Sequence, residues 1–135
     1  MKSLPICLFI ICVFLSCQHP KSISVQKDSF LPGIWANCGT NHFKNGKLST
    51  LESYFACPDI SFNKNHSGYV KIGTELLFKF SWDLKSDTLS INRPKIKGDS
   101  YLDSGRYTLV DKHKKGIHEI GLLNAKRNTE YLLSN

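Results

Sequence analysis

The clearest pattern in the chain is "ELLFKFSWD", residues 75 to 83. Leu76, Phe78, Phe80 and Trp82 fall on one face, and Leu77, Lys79, Ser81 and Asp83 on the other. Alternation with period two and a wealth of aromatics predicts a half-buried β-strand. "DTLSINR" repeats it, with Leu89 and Ile91 inward and Ser90 and Asn92 outward. Lys85, Ser86 and Asp87 between the two segments have turn chemistry, so residues 75–93 read as a hairpin. "PDISFNKNHSGYVKIG" predicts another. Ile60 and Phe62 alternate, "NKNHSG" turns, and Tyr69, Val70 and Ile72 return. Downstream, strands are expected near 105–112, 116–124 and 129–134, joined by "KHKKG" and "NAKRN". Upstream, "GIWANCGTN" and "STLESYFAC" supply two more. A short strand at Tyr101 and a helical turn near Ser29 to Leu31 complete the expectation.

No segment sustains an apolar stripe at helical spacing over three turns. Eight or nine short strands joined mostly by hairpins should pair with their sequence neighbours. The expected fold is therefore all-β, an antiparallel up-and-down barrel of about eight strands, because closure removes exposed edges. A two-sheet sandwich of the same strands is the open alternative. An eight-stranded interior is either filled by side chains or holds one small ligand.

The first thirty residues do not share this pattern. Met1-Lys2-Ser3 precedes a run of mostly apolar residues from Leu4 to Leu15. The run is shorter than the roughly 20 residues needed to cross a bilayer and has the layout of a secretory signal. It ends in Leu15-Ser16-Cys17, which resembles a bacterial lipobox, where a small residue precedes the cysteine that is acylated. The resemblance implies a signal peptide at 1–16 and a lipid anchor on Cys17. Several acyl chains at about 0.8 kcal/mol per buried CH₂ would hold the protein at a membrane without a spanning helix. Residues 17–30 would then be a polar linker, leaving 31–135 as one domain. In the sorting rules of such lipoproteins, Gln18 after the cysteine implies the outer membrane, facing the periplasm.

At the head of the domain stands "LPGIWANC". Gly33 and Trp35 resemble the Gly-x-Trp signature of lipocalins and of lipocalin-like domains in bacterial lipoproteins. The resemblance covers 31–134 and implies that Trp35 closes the barrel base beside an arginine from near the last strand. Arg127 is the first choice for that arginine and Arg106 the second. It also implies binding of a small apolar or amphipathic ligand inside the barrel, with Tyr69, Phe78, Phe80, Trp82 and Tyr107 as its lining. The alternative is a filled barrel acting at the envelope as a protein-interaction or enzyme-inhibitor module.

Charge and cysteines refine this picture. The chain carries 18 Lys and Arg against 11 Asp and Glu, a formal net charge of +7. The lysines sit beside Gly and Asn in "KNGK", "KIKG" and "KHKKG", as solvated hairpin lysines do, and no nucleic-acid partner is implied. Of the five cysteines, Cys7 and Cys12 fall within the signal and Cys17 takes lipid. An oxidising compartment favours a bridge between the remaining pair, Cys38 and Cys57; two buried thiols are the other reading.

Nothing in the sequence calls for catalysis. His66-Ser67-Gly68 belongs to a hairpin turn, and His118 and Glu119 are adjacent on a strand and so point to opposite faces. The aspartates lie at turns and strand ends, a phosphate-loop motif is missing, and the histidines lack metal-site spacing. No cofactor is implied, and the oligomeric state is left open.

Overall fold

A computed structural model describes residues 30–95, 101–112 and 116–135. The expected signal at 1–16, the expected lipidation site Cys17 and the expected linker up to residue 29 lie outside the described residues. Within them are nine strands and no helix. They are β1 (Gly33–Lys44), β2 (Lys47–Ser53), β3 (Asp59–Phe62), β4 (Ser67–Ile72), β5 (Glu75–Lys85), β6 (Thr88–Asn92), β7 (Gly105–Asp111), β8 (Glu119–Asn124) and β9 (Thr129–Ser134).

From β3 to β9 each strand pairs antiparallel with the next. The long β1 closes the ring. Its first residues, Gly33–Ala36, pair with β3, and Ala36–His42 pair with β9 on the other side. The result is a closed eight-stranded antiparallel barrel, the expected lipocalin-like architecture, with β2 as a ninth strand outside the ring. β2 continues the edge that β3 vacates, pairing Lys47–Ser53 with Lys44–Gly39. The turn between β1 and β2 is Asn45-Gly46, both at positive φ, which is the chemistry of a two-residue hairpin turn.

The disulfide Cys38–Cys57 sits where β1 changes partner, with the two Cα atoms 4.4 Å apart. Asn37 N–H donates to the Pro58 carbonyl and Tyr54 N–H to the Cys38 carbonyl, so the base of the β1–β2 hairpin is fixed covalently and by backbone bonds. Cys38 is also the extra residue of a bulge against β9, since Asn37 opposes Leu133 and Gly39 opposes Leu132. The bulge shifts the alternation by one: Trp35 and Asn37 point inward before it, and Thr40 after it.

One cluster of buried side chains lies in the interior. It joins Trp35, Ile60, Phe62, Val70, Phe78, Phe80, Trp82, Leu84, Leu89, Ile91, Tyr107, Ile120, Leu122, Tyr131 and Leu133 to Leu31 and Leu102 from outside the strands. Phe80 lies directly across from Gly68. A Cβ there would stand 2.2 Å from the ring, so the aromatic ring occupies the space that glycine leaves free.

Several expectations need correction. Leu76 is exposed and Leu77 packs on the core, the reverse of a strict alternation. The cause is a bulge: Val70 faces Phe78 but Lys71 faces Leu76, so Leu77 is the extra residue. β2 begins at Lys47 rather than Ser49, and β8 at Glu119 rather than 116. Tyr101 lies in a bend, not a strand, and Phe30 and Leu31 form a turn without a helix.

Candidate functional site

The antiparallel meander gives the barrel two poles. One holds the first residues of β1, the β3–β4, β5–β6 and β7–β8 turns, and the end of β9. The other holds the β1–β2 and β4–β5 turns, the long β6–β7 connection and the β8–β9 turn.

Trp35 is buried at the first pole. Its indole Nε1 donates to the Leu31 carbonyl at 2.9 Å, and the Phe30 ring meets it edge-on with centroids 5.6 Å apart. Gly33 has a φ of 154°, a value L side chains rarely adopt, and so the chain can swing into β1 at this point. Arg127 is not beside Trp35. It sits in the β8–β9 turn, and because β9 runs antiparallel to β1, the start of β9 lies beside the end of β1: Phe43 N–H donates to the Asn128 carbonyl. An arginine just before the last strand is therefore placed at the opposite pole from a tryptophan at the start of the first. Arg106, at the β6–β7 side of β7, is likewise remote from it.

Of the expected lining, Phe78, Phe80, Trp82 and Tyr107 are buried in the interior. Their rings meet other rings: Phe62 stands edge-on to Phe80 and to Trp82, at 5.4 and 5.8 Å, and Tyr107 is 5.9 Å from Tyr131. Tyr69 is on the outer face. It opposes exposed Lys79, and Lys71 lies over its ring at 5.0 Å, because the inward positions of β4 are Gly68 and Val70.

The second pole is closed by a plug that the sequence did not announce. In the β6–β7 connection Leu102 is fully buried and joins the core. Asn37, wholly buried in the barrel wall, donates from Nδ2 to the Tyr101 carbonyl at 2.9 Å. The Tyr101 ring meets that of Tyr54 edge-on at 5.0 Å, and Tyr54 is hydrogen-bonded to Thr40 at 2.7 Å.

Asp103 holds the plug in place. Its carboxylate accepts from Arg93 at 2.8 Å, from Arg127, and from the Tyr131 hydroxyl at 3.3 Å. The Tyr107 hydroxyl donates to its backbone carbonyl at 2.6 Å. Arg93 also lies over the Phe78 ring at 5.0 Å, and Ser104 bonds both its N–H and its carbonyl. Burial, reinforced by the Asp103 carboxylate, pushes the Tyr107 hydroxyl up to about 12. Burial raises Tyr131 too, with Tyr107 and Asp103 adding to it, so both phenols stay neutral donors.

Asn37, Arg93 and Asp103 are thus the important side chains that sequence reasoning passed over. Asn37 left a trace, since it shares the inward phase of Trp35 two residues on. Asp103 and Arg93 left none.

His66 and Ser67 do not make a catalytic pair. The His66 ring stacks on Trp82 at 4.8 Å, while the Ser67 hydroxyl donates to Asn65 and accepts from Asn63 within the turn.

Outside the barrel, β7 and β8 part company. They pair from Thr108–Leu123 to Asp111–Ile120; β8 ends one residue on, at Asn124, and the chain then turns into β9, while Gly105–Tyr107 continue beside β6. The wedge between them is a cleft of about 690 Å³, with Thr88, Arg106, Thr108, Leu123, Lys126 and Arg127 on its walls. Comparisons with protein families, with curated proteins and with solved structures found no match to this chain.

Proposed function

We propose that this is an exported, lipid-anchored binding protein without catalysis, which engages an envelope partner through its outer surface. The anchor is the acylated Cys17, and the setting is the outer membrane facing the periplasm. The observation that carries this reading is the state of the interior. Its aromatic rings meet one another, and the plug around Leu102 and Asp103 stands at the second pole, on the side from which a ligand would enter. A module of this build offers its partners the β1–β2 hairpin, whose second strand lies outside the ring.

A second reading is carriage of a small apolar ligand among Phe78, Phe80, Trp82 and Tyr107. What favours it is that the plug is held by polar contacts and not covalently, so its departure would uncover those rings.

Fractionation and native mass spectrometry test both. Cys17→Ser should move the protein from membranes to the soluble fraction; retention in the membrane pellet would sink the anchor. Crosslinking in cells should then give a stoichiometric protein partner. A co-purified lipid-like mass without such a partner would overturn the first reading in favour of the second.

A further inference from the structure

The cleft between β7 and β8 contains a set of groups that the packing of the barrel does not use. Arg106, Lys126 and Arg127 border it, and among the described residues no carboxylate does. Arg127 is committed to Asp103. Among the described residues, Arg106 and Lys126 have no acidic partner, and both are exposed. Thr88 and Thr108, which face one another across β6 and β7, add two hydroxyls. Leu123 and Ala125 add a short apolar wall.

The backbone supplies one more donor. Leu109 N–H donates to Asp87 on the β6 side, and Lys112 N–H donates to Glu119 on the β8 side. Strand groups alternate between sides, so the even-numbered residues of β7 present their N–H towards β8. Thr108 meets Leu123 there. Arg106, two residues earlier, has nothing opposite, because β8 ends at Asn124 and its chain closes a turn through Arg127 N–H and Asn128 N–H. The Arg106 N–H therefore opens into the wedge that Arg106 borders.

We propose that this cleft is a binding site for a phosphoryl oxyanion carried on a small body. A guanidinium fork, an ammonium and a backbone N–H bordering one wedge suit a tetrahedral, multiply charged group better than a flat carboxylate. The third cation, Arg127, adds to the local potential without leaving Asp103. The volume exceeds that of the bare anion, and Leu123 with Ala125 gives the remainder of the ligand an apolar surface. Because Arg106 and Lys126 are solvent-exposed, binding weakens as salt rises. The site does not depend on the anchor or on the state of the barrel interior, so it stands or falls separately from the function proposed above.

The test is NMR titration of the ¹⁵N-labelled full-length chain in a nonionic detergent, with inorganic phosphate, glycerol phosphate and dihexanoyl phosphatidic acid in parallel. The expected result is saturable shifts of the Arg106 amide and of residues 123–127, weaker at high salt. Arg106→Gln and Lys126→Gln should each lower affinity at least about tenfold, equivalent to roughly 1.4 kcal/mol. Lys85→Gln, at the other pole, should change nothing, and unperturbed resonances elsewhere show that the variants keep their fold. The three ligands distinguish sources within the proposal. Inorganic phosphate binding as well as the esters means a free anion. Equal binding of both esters means a soluble phosphate ester, and tighter binding of the acylated one a lipid headgroup. Absence of saturable shifts with all three, shifts spread alike over every exposed lysine, or unchanged affinity in Arg106→Gln overturns it.

Discussion

Asn37 and Tyr101 are 64 residues apart in sequence, yet the Asn37 amide, wholly buried in the barrel wall, hydrogen-bonds the Tyr101 carbonyl at 2.9 Å. A polar residue at an inward strand position is costly unless it is bonded. Here its Oδ1 also accepts from Gly39 N–H, so one side chain serves the bulge at Cys38 and the plug together.

The plug should therefore have a definite order of sensitivity. Asp103→Ala removes the partner of Arg93, whose side chain is only 8% exposed, and breaking a pair of that kind costs about 3 kcal/mol. Asn37→Ala should cost about 1 to 3 kcal/mol. Arg127→Ala should cost less than about 1 kcal/mol, because Arg127 is half exposed and its ion pair is screened by solvent. Urea unfolding of the three variants checks the ranking. An Arg127 variant less stable than the Asp103 variant would contradict the latch described above.

Reduction of the disulfide, or Cys38→Ser with Cys57→Ser, should lower stability by about 3 kcal/mol, from the loop entropy restored to the unfolded chain. The loss should appear as a lower urea midpoint. Equal midpoints with and without reductant would mean that the backbone bonds at the hairpin base suffice.

Tyr107 and Tyr131 give stability an alkaline limit. Free tyrosine ionises near 10, and the folded Tyr107 at about 12, with Tyr131 shifted in the same direction. Below pH 10 both phenols are protonated in folded and unfolded chains, and their full contribution is present. Above it the unfolded chain releases protons that the folded one retains, so stability falls as the pH climbs towards 12. Absorbance of tyrosinate should show Tyr107 and Tyr131 titrating late, together with unfolding. Tyr131→Phe should flatten the decline. Five tyrosines titrating as one class would contradict the burial of this pair.

Gly68→Ala should destabilise the barrel by about 1 to 3 kcal/mol, the usual cost of overpacking. The new methyl would meet both Phe80 and the Ser61 carbonyl. Adding Phe80→Leu should recover part of the loss. A double variant as unstable as the sum of its parts would place the strain at Ser61 instead.

Much of this architecture was legible in the chain. Alternation located β5 and β6 because Phe78, Phe80, Trp82, Leu89 and Ile91 face a single interior, and the turn chemistry of Lys85, Ser86 and Asp87 joined the two into a hairpin. Alternation failed at Leu76 and Leu77, where a bulge changes phase without altering composition. Tyr69 was misplaced for a related reason: glycine at 68 and valine at 70 carry the inward face, and a tyrosine between them looks like the more obvious core residue. The plug was illegible because its partners come from distant elements. Asp103, Arg93 and Arg127 each look like ordinary surface or turn residues until the ring closes. Signals of local chemistry reach a few residues, whereas the latch joins two connections of the barrel, β6–β7 and β8–β9.

The position of β2 outside the ring has a consequence for hydrogen exchange. Each barrel strand has a neighbour on either side, but β2 has only β1, and every one of its residues is exposed. Its amides should exchange with solvent deuterium orders of magnitude faster than those of β4 or β8, through an opening that leaves the ring intact. β2 can peel away from β1 and re-dock as a separate cooperative unit, because β1 stays paired with β9 as far as His42, while the Cys38–Cys57 bond tethers the far end of the excursion. A two-tier pattern of protection, with its boundary at that bond, is the signature of a barrel with one strand to spare.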